Sequence, residues 1–264
     1  SEARFRGGIK DVGYAVRLVI ESSRAGADGF MLSVSNTTLA ILSGIRNEVN
    51  GDFLIAAIIP YAYEYVRKAT VVGTVGLAKE LASNVLRSMN IAAIYHGLKA
   101  ATNLDLVSGL KALIDYELSR IRRFYGRKPW TLMLHELIVD TLIPYGLTEV
   151  LVEALEYIKG RGVIPGVETR NLPVVHKALS EYSMADEVVF SAPFNKVGFQ
   201  MSPSKADYER FVRDNPGKLI GFSILASGLL KPREALEYIA QFKNELLGIA
   251  IGVSREEQVE VFRL

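Results

Sequence analysis

The sequence predicts an α/β fold, a single (β/α)8 TIM barrel that uses the whole chain. Three observations carry this prediction. Short apolar runs rich in Val, Ile and Ala recur along the chain, each followed by a charged segment of helical period. Such alternation builds parallel strands joined by crossover helices. Counting the units gives eight in 264 residues, the length such a barrel needs. Composition agrees, because 49% hydrophobic and 23% charged residues suit a chain with a large buried core.

The elements follow in order. The first strand is read at Ala3–Arg6, and a helix runs from Asp11 to Arg24 with Val12, Val16, Val19 and Ile20 on one face. The second strand is Gly29–Val34 and the third Phe53–Ile59. The fourth is Trp130–Leu134, the fifth Val163–Val167 and the sixth Glu187–Ser191. The seventh is Leu219–Ser223 and the eighth Leu247–Gly252. Side chains alternate across a strand. In the fourth strand that rule sends Trp130, Leu132 and Leu134 outward and Met133 and His135 inward. In the eighth, Ile249, Ile251 and Val253 face the helices, and Gly248, Ala250 and Gly252 face the interior. Ser202 or Ser204 caps the helix that starts at Lys205, with Asp207 in its first turn.

One connection is long. Residues 61–103 separate the third strand from the helix before the fourth, opening with Tyr61, Tyr63, Glu64 and Tyr65. Two helix-like stretches follow, at 76–89 and 91–101. The insertion leaves a strand's C-terminal end and so emerges at the catalytic face. There it is a lid or pocket wall, a decorative subdomain, or a contact in a homo-oligomer.

Charge and composition narrow the function classes. A net charge of +2 gives no field that would favour nucleic acid or a membrane surface. Arg120, Arg122, Arg123, Arg127 and Lys128 read as a solvated helix end whose cations lie near its C-terminus. The absence of Cys rules out disulfides, thiol nucleophiles and zinc–thiolate sites, and fits a cytoplasmic protein. Only Gln200, Gln241 and Gln258 represent glutamine, which together with the lack of Cys hints at a thermophile. The longest apolar stretch, Phe53 to Tyr63, is too short to span a bilayer.

In a barrel, chemistry sits at the C-terminal ends of the strands. His135 lies there with inward parity, whereas His96 and His176 read as surface or packing residues. Glu168 shares parity with Ile164 and Gly166 and belongs to the neighbouring strand. His135 and Glu168 therefore form a candidate acid–base pair, the carboxylate orienting the ring. The structural alternative pairs Glu168 with Arg170 or Arg6. Glu136 is read as a solvated loop carboxylate. Ser35, Asn36, Tyr61, Arg170, Asn171, Asn195 and Gln200 are candidate substrate contacts, with Arg170 and Asn171 suited to a carboxylate or phosphate. The loop from Phe194 to Met201 crosses the barrel top. No complete metal-ligand set is evident, although "LHE" and "VETRN" look similar to strand ends of metal-dependent isomerase and endonuclease barrels.

From about Leu106 to Phe262 the chain also resembles the aldo-keto reductases. The resemblance rests on "TLMLHE", "LVEALEYIKGRGVIPGVETRNL", "GFSILASGLL" and "GVSREEQVEV". It implies NADP as cofactor, Phe222 as the ring that stacks on nicotinamide, Ser227 beside it, and Ser254 and Arg255 near the cofactor phosphate. Simple alternation gives Phe222 outward parity, which conflicts with that role. The family also needs Asp and Tyr after the second strand and Lys at the end of the third. Here the strands end "LSVSNTT" and "AAIIPYAY". Reductase activity is therefore expected to be absent. The expected function is an enzyme acting on a small polar or anionic metabolite by acid–base chemistry. The alternatives are a non-catalytic ligand- or nucleotide-binding barrel and a metal-dependent barrel.

Overall fold

The structure is a computed structural model that describes residues 11–61 and 105–263. Seven strands form one parallel sheet in strict sequence order: β1 (Gly29–Ser33), β2 (Leu54–Ile59), β3 (Thr131–Leu134), β4 (Ile164–Glu168), β5 (Val189–Pro193), β6 (Leu219–Phe222) and β7 (Gly248–Ile249). Neighbours in sequence are neighbours in space, and helices connect them. The product is an open, strongly curled, TIM-barrel-like sheet with helices on its outer face. Among the described residues β1 and β7 are its two edges. The strand expected at Ala3–Arg6, the bulk of the 61–103 insertion and His96 lie outside the described residues.

The helices are α1 (Val12–Arg24), α2 (Asn36–Ile45), α3 (Leu106–Tyr125), α4 (Glu136–Leu142), α5 (Thr148–Gly160), α6 (Leu172–Ser180), α7 (Lys205–Asp214) and α8 (Pro232–Ile239). Asp11 caps α1 rather than belonging to it, its Oδ1 accepting the amide of Tyr14 at 3.2 Å. Ser204 caps α7, as one of the two expected residues. Gly126, with φ 82°, ends α3 in the left-handed region where a side chain is unfavourable. The basic cluster disperses: Arg120 reaches Glu117 and Asn36, Arg127 the carbonyl of Gly51, and Lys128 that of Arg161. No helix among the described residues is long and apolar enough to cross a membrane.

Two apolar layers follow from strand alternation. Leu32, Leu132, Leu134, Val167, Phe190 and Leu219 point outward and pack on helix residues such as Leu42, Ile114, Leu155 and Val212. Ala56, Ile58, Met133, Val189 and Ile220 point inward, joined by Met31, Trp130 and Ala250. His176 belongs to the outer layer, its ring 5.0 Å from that of Phe211 and 5.7 Å from that of Phe190.

Several local expectations are corrected. Trp130 packs with the inner cluster, because it precedes the first paired residue of β3, where the alternation does not yet hold. The sixth strand begins two residues later than expected and runs to Pro193, since Glu187 is taken up by a turn in which its amide donates to Met184. Phe222 has inward parity, because Ile220 packs in the inner cluster while Gly221 faces Phe194 of the outer one. The eighth expected strand is pared to Gly248–Ile249, with Ala250 still donating to the carbonyl of Gly221 at 2.8 Å.

Gly166 couples this packing to the strand ends. A Cβ there would lie 2.6 Å from Met133 Cγ, 3.0 Å from Thr131 Oγ1 and 3.1 Å from the carbonyl oxygen of Val189. Overpacking at a buried position costs about 1–2 kcal/mol when a neighbouring side chain can give. Gly166→Ala should therefore lower the urea midpoint without changing the slope, and Met133→Ala in the same chain should restore part of the loss.

Candidate active site

The site is built at the ends of β3 and β4. The register pairs Leu134 with Val167, so the next inward positions, His135 and Glu168, stand side by side. After His135 the chain turns at once into α4. His135 is the N-cap of that helix, and its Nδ1 accepts the amide of Leu137 at 3.0 Å. A ring nitrogen that accepts carries no hydrogen, so the neutral ring holds its proton on Nε2. That atom lies 3.6 Å from Oε2 of Glu168.

Burial sets the charges here. It pushes the Glu168 carboxyl up to about 7, with the charges of Glu136 and Asp140 adding to the rise. The amide of Glu136 and the cation of Arg170 pull the other way. Burial also lowers His135, a shift opposed by Glu136 and reinforced by Arg170. The 3.6 Å approach would be an ion pair only with a charged ring. With the ring lowered and the carboxyl raised to about 7, the two are not locked as a salt bridge at neutral pH.

Three further side chains hold these two. Glu136 is not a solvated loop carboxylate: α4 begins there, the chain bends, and its Oε2 accepts from Arg170 Nε at 2.5 Å. Arg170 therefore pairs with Glu136, not with Glu168. Asp140, one turn further along α4, accepts the hydroxyl of Thr169 and, at 3.0 Å, the amide of Arg170. Burial raises its carboxyl above the ordinary range. Tyr208 of α7 donates to the carbonyl of Arg170 at 2.7 Å. Residues 169–171 are thus clamped from both α4 and α7.

Two residues of the site escape sequence reading. Asp140 sits inside a helix and carries no motif. Ser191 lies in an apolar-looking strand, yet it is the register partner of Glu168 and points to the same face. Its hydroxyl is buried and has no hydrogen-bond partner among the described residues, and the same holds for Oε2 of Glu168. Counting inward positions along the sixth strand would have found it.

Of the expected contact residues, Ser35 and Asn195 serve the backbone instead. Ser35 caps α2 in a reciprocal box with Thr38, and the exposed Asn36 accepts from Arg120 at 2.8 Å. Asn195 is fully buried and pins its own loop, donating to the carbonyl of Phe199 at 2.9 Å and accepting that residue's amide at 2.8 Å. Asn171 precedes α6 without a side-chain cap, and its amide donates to Thr169 Oγ1 at 2.9 Å. Gln200 is exposed with φ 61°, and Tyr61 ends the first described segment, half-buried.

The residues that the reductase resemblance implies are also spread out. Ala226, Ser227 and Gly228 form three consecutive left-handed residues after β6, with φ 46°, 58° and 91°, and the side chain of Ser227 is exposed. The amides of Ser254 and Arg255 and the hydroxyl of Ser254 converge on Oε1 of Gln258, at 2.8, 3.2 and 3.0 Å. The half-buried Phe222 follows the register of Pro193 on the next strand.

A surface cavity of about 330 Å³ lies elsewhere, lined by Lys111, Glu153, Glu156, Tyr157, Gly160 and Arg161. It belongs to α3 and α5, in the helix layer, and ends where α5 leads into the start of β4. Its Asp115–Tyr157–Arg161 contacts tie two helices together. Among the described residues no group of three His, Asp or Glu side chains is arranged to hold a metal ion. Comparison with protein-family models, with curated proteins and with solved structures finds no match for this chain.

Proposed function

We propose that this protein is an enzyme that moves a proton on a small, uncharged polar metabolite, with Glu168 as the group that takes up and returns the proton and the Nε2–H of His135 as the hydrogen-bond donor beside it. The observation that carries the reading is the pair itself: Nε2 of a tautomerically fixed ring 3.6 Å from a carboxyl pushed up to about 7. Its position at strand ends of a TIM-barrel-like sheet adds support. So does the resemblance to the aldo-keto reductases, which favours a closed (β/α)8 barrel but supplies no Asp, Tyr or Lys for reductase chemistry. An anionic substrate fits poorly, because Arg170 is already paired with Glu136 and two more carboxylates stand beside it.

The test is solvent exchange. A panel of small hydroxy- and ketocompounds is incubated with the protein in D2O, and loss of carbon-bound hydrogen is followed by NMR. Exchange with at least one compound, reduced about 100-fold or more in His135→Gln, is the expected result. The rate should rise with pH through about 7, as Glu168 loses its proton and becomes able to accept one. Exchange that ignores His135→Gln would refute the reading. The aromatic ring of Phe222, inward and half-buried on β6, is placed to contribute an apolar wall to the same mouth.

A further inference from the structure

We propose that His135, Glu168 and Ser191 form a subsite for a hydroxyl group of a neutral, hydroxylated ligand, and that Ser191 is a binding residue. The inference deepens the acid–base reading and rests on it for the placement of the ligand. Three adjacent strands each contribute one inward residue. Glu168 and Ser191 are register partners, and His135 adjoins Glu168 one step beyond the Leu134–Val167 pair. Side chains so placed on neighbouring strands stand about 5 Å apart.

The hydrogen-bonding capacity of this layer is unspent among the described residues. Nδ1 of His135 is committed to Leu137, which leaves Nε2–H as a donor. Oε2 of Glu168 and the hydroxyl of Ser191 are buried without partners there, and Ser191 is fully buried. A buried polar group left unpaired costs free energy, so such groups mark where a polar atom belongs.

A hydroxyl offers one donor and two acceptor positions. Facing an ionised Glu168 it donates to Oε2 and accepts from Nε2–H and from Ser191. Facing a protonated Glu168 it accepts from the carboxyl and from Nε2–H, and donates to Ser191. Both states are satisfied, as proton transfer requires. An ammonium group, which has no acceptor, would oppose Nε2–H. A phosphate or carboxylate would meet the negative charges of Glu136 and Asp140. Arg170, the cation beside them, is already paired. A water molecule has the same capacity as a hydroxyl, and the experiment separates the two.

The full chain is titrated with glycerol, erythritol and myo-inositol as neutral probes, with inorganic phosphate as anion and putrescine as cation. The readout is the Nε2 resonance of His135, identified by its loss in His135→Gln. The expected result is a saturable shift with at least one polyol and none with phosphate or putrescine. Ser191→Ala should weaken that binding about 10-fold, the worth of one hydrogen bond. The substitution removes only a hydroxyl that has no partner among the described residues, so the fold is retained, and the unchanged Nδ1 resonance reports it. Preference for phosphate or putrescine, polyol binding indifferent to Ser191→Ala, or no shift with any polyol would overturn the proposal, the last leaving the layer to water alone. Exchange catalysis lost in His135→Gln while no polyol binds overturns the subsite and leaves the acid–base reading standing. Polyol binding without exchange catalysis does the reverse.

Discussion

Glu168→Gln should stabilise the protein at alkaline pH by about 3 kcal/mol and leave its stability unchanged below about pH 4.5. The sign follows from the direction of the shift. The carboxyl titrates near 4.5 in the unfolded chain and at about 7 in the folded one, so it is raised by folding. Below pH 4.5 both states hold the proton and nothing is lost. Between 4.5 and about 7 the unfolded chain releases its proton while the folded one keeps it, and stability falls as pH rises. Above that range the folded protein must bury a carboxylate beside Glu136 and Asp140, and the full difference is lost. Glutamine imitates the protonated acid and escapes the penalty. Urea denaturation of both chains from pH 4 to 9 checks this, and parallel curves across the whole range would show that Glu168 is not raised. His135 runs the other way: its lowered value means that stability is lost as pH falls below the ordinary histidine range. The same variant should lose the exchange activity, since an amide cannot take up the proton as the carboxylate does. A more stable and inactive protein is the pattern expected where function keeps a costly group buried.

Asp140→Ala should cost about 3 kcal/mol, because two hydrogen bonds to a charged acceptor vanish together. One comes from the hydroxyl of Thr169, a fully buried residue, and the other from the amide of Arg170 at 3.0 Å. Both donors would be left unpaired at the strand end that carries Glu168. Part of the loss is offset, since Asp140 is itself raised by burial and adds to the negative charge around Glu168. Hence the Glu168 midpoint should move down in Asp140→Ala even as the protein weakens. Asp140→Asn keeps an acceptor for Thr169 and should recover much of the stability while still lowering that midpoint. Thermal melts and a carboxyl NMR titration together distinguish the two effects. Equal destabilisation by Ala and Asn would point to charge rather than hydrogen bonding as what holds residues 169–170.

Strand alternation is a local property with a period of two, so the inward facing of His135 and Glu168 is legible in the amino-acid sequence. The order of the strands is legible too, because parallel strands joined by helices prefer to lie beside their sequence neighbours. Where the chain bends, the same logic fails. Glu136 follows His135 and by alternation points away, yet the helix that starts there folds it back onto Arg170. Phe222 needed the register with β5 and the packing of Ile220 to show which face it takes.

Polar residues at strand ends are ambiguous in a sequence, because helix caps and loops need them as much as ligands do. Ser35 and Asn195 read as ligand contacts, yet their side chains bond backbone groups, and the hydroxyl of Ser254 bonds Oε1 of Gln258. Ser191 looked like part of a core strand, and its buried hydroxyl stands beside the acid with no hydrogen-bond partner among the described residues. By itself, then, the sequence determined the alternating elements, the inward parity of His135 and Glu168, and the end of the sheet where they emerge. Only the tertiary structure decided which polar groups are paired and which have no partner among the described residues, because that depends on neighbours far apart in the chain: Glu136 with Arg170, Asp140 with Thr169, and Glu168 beside Ser191.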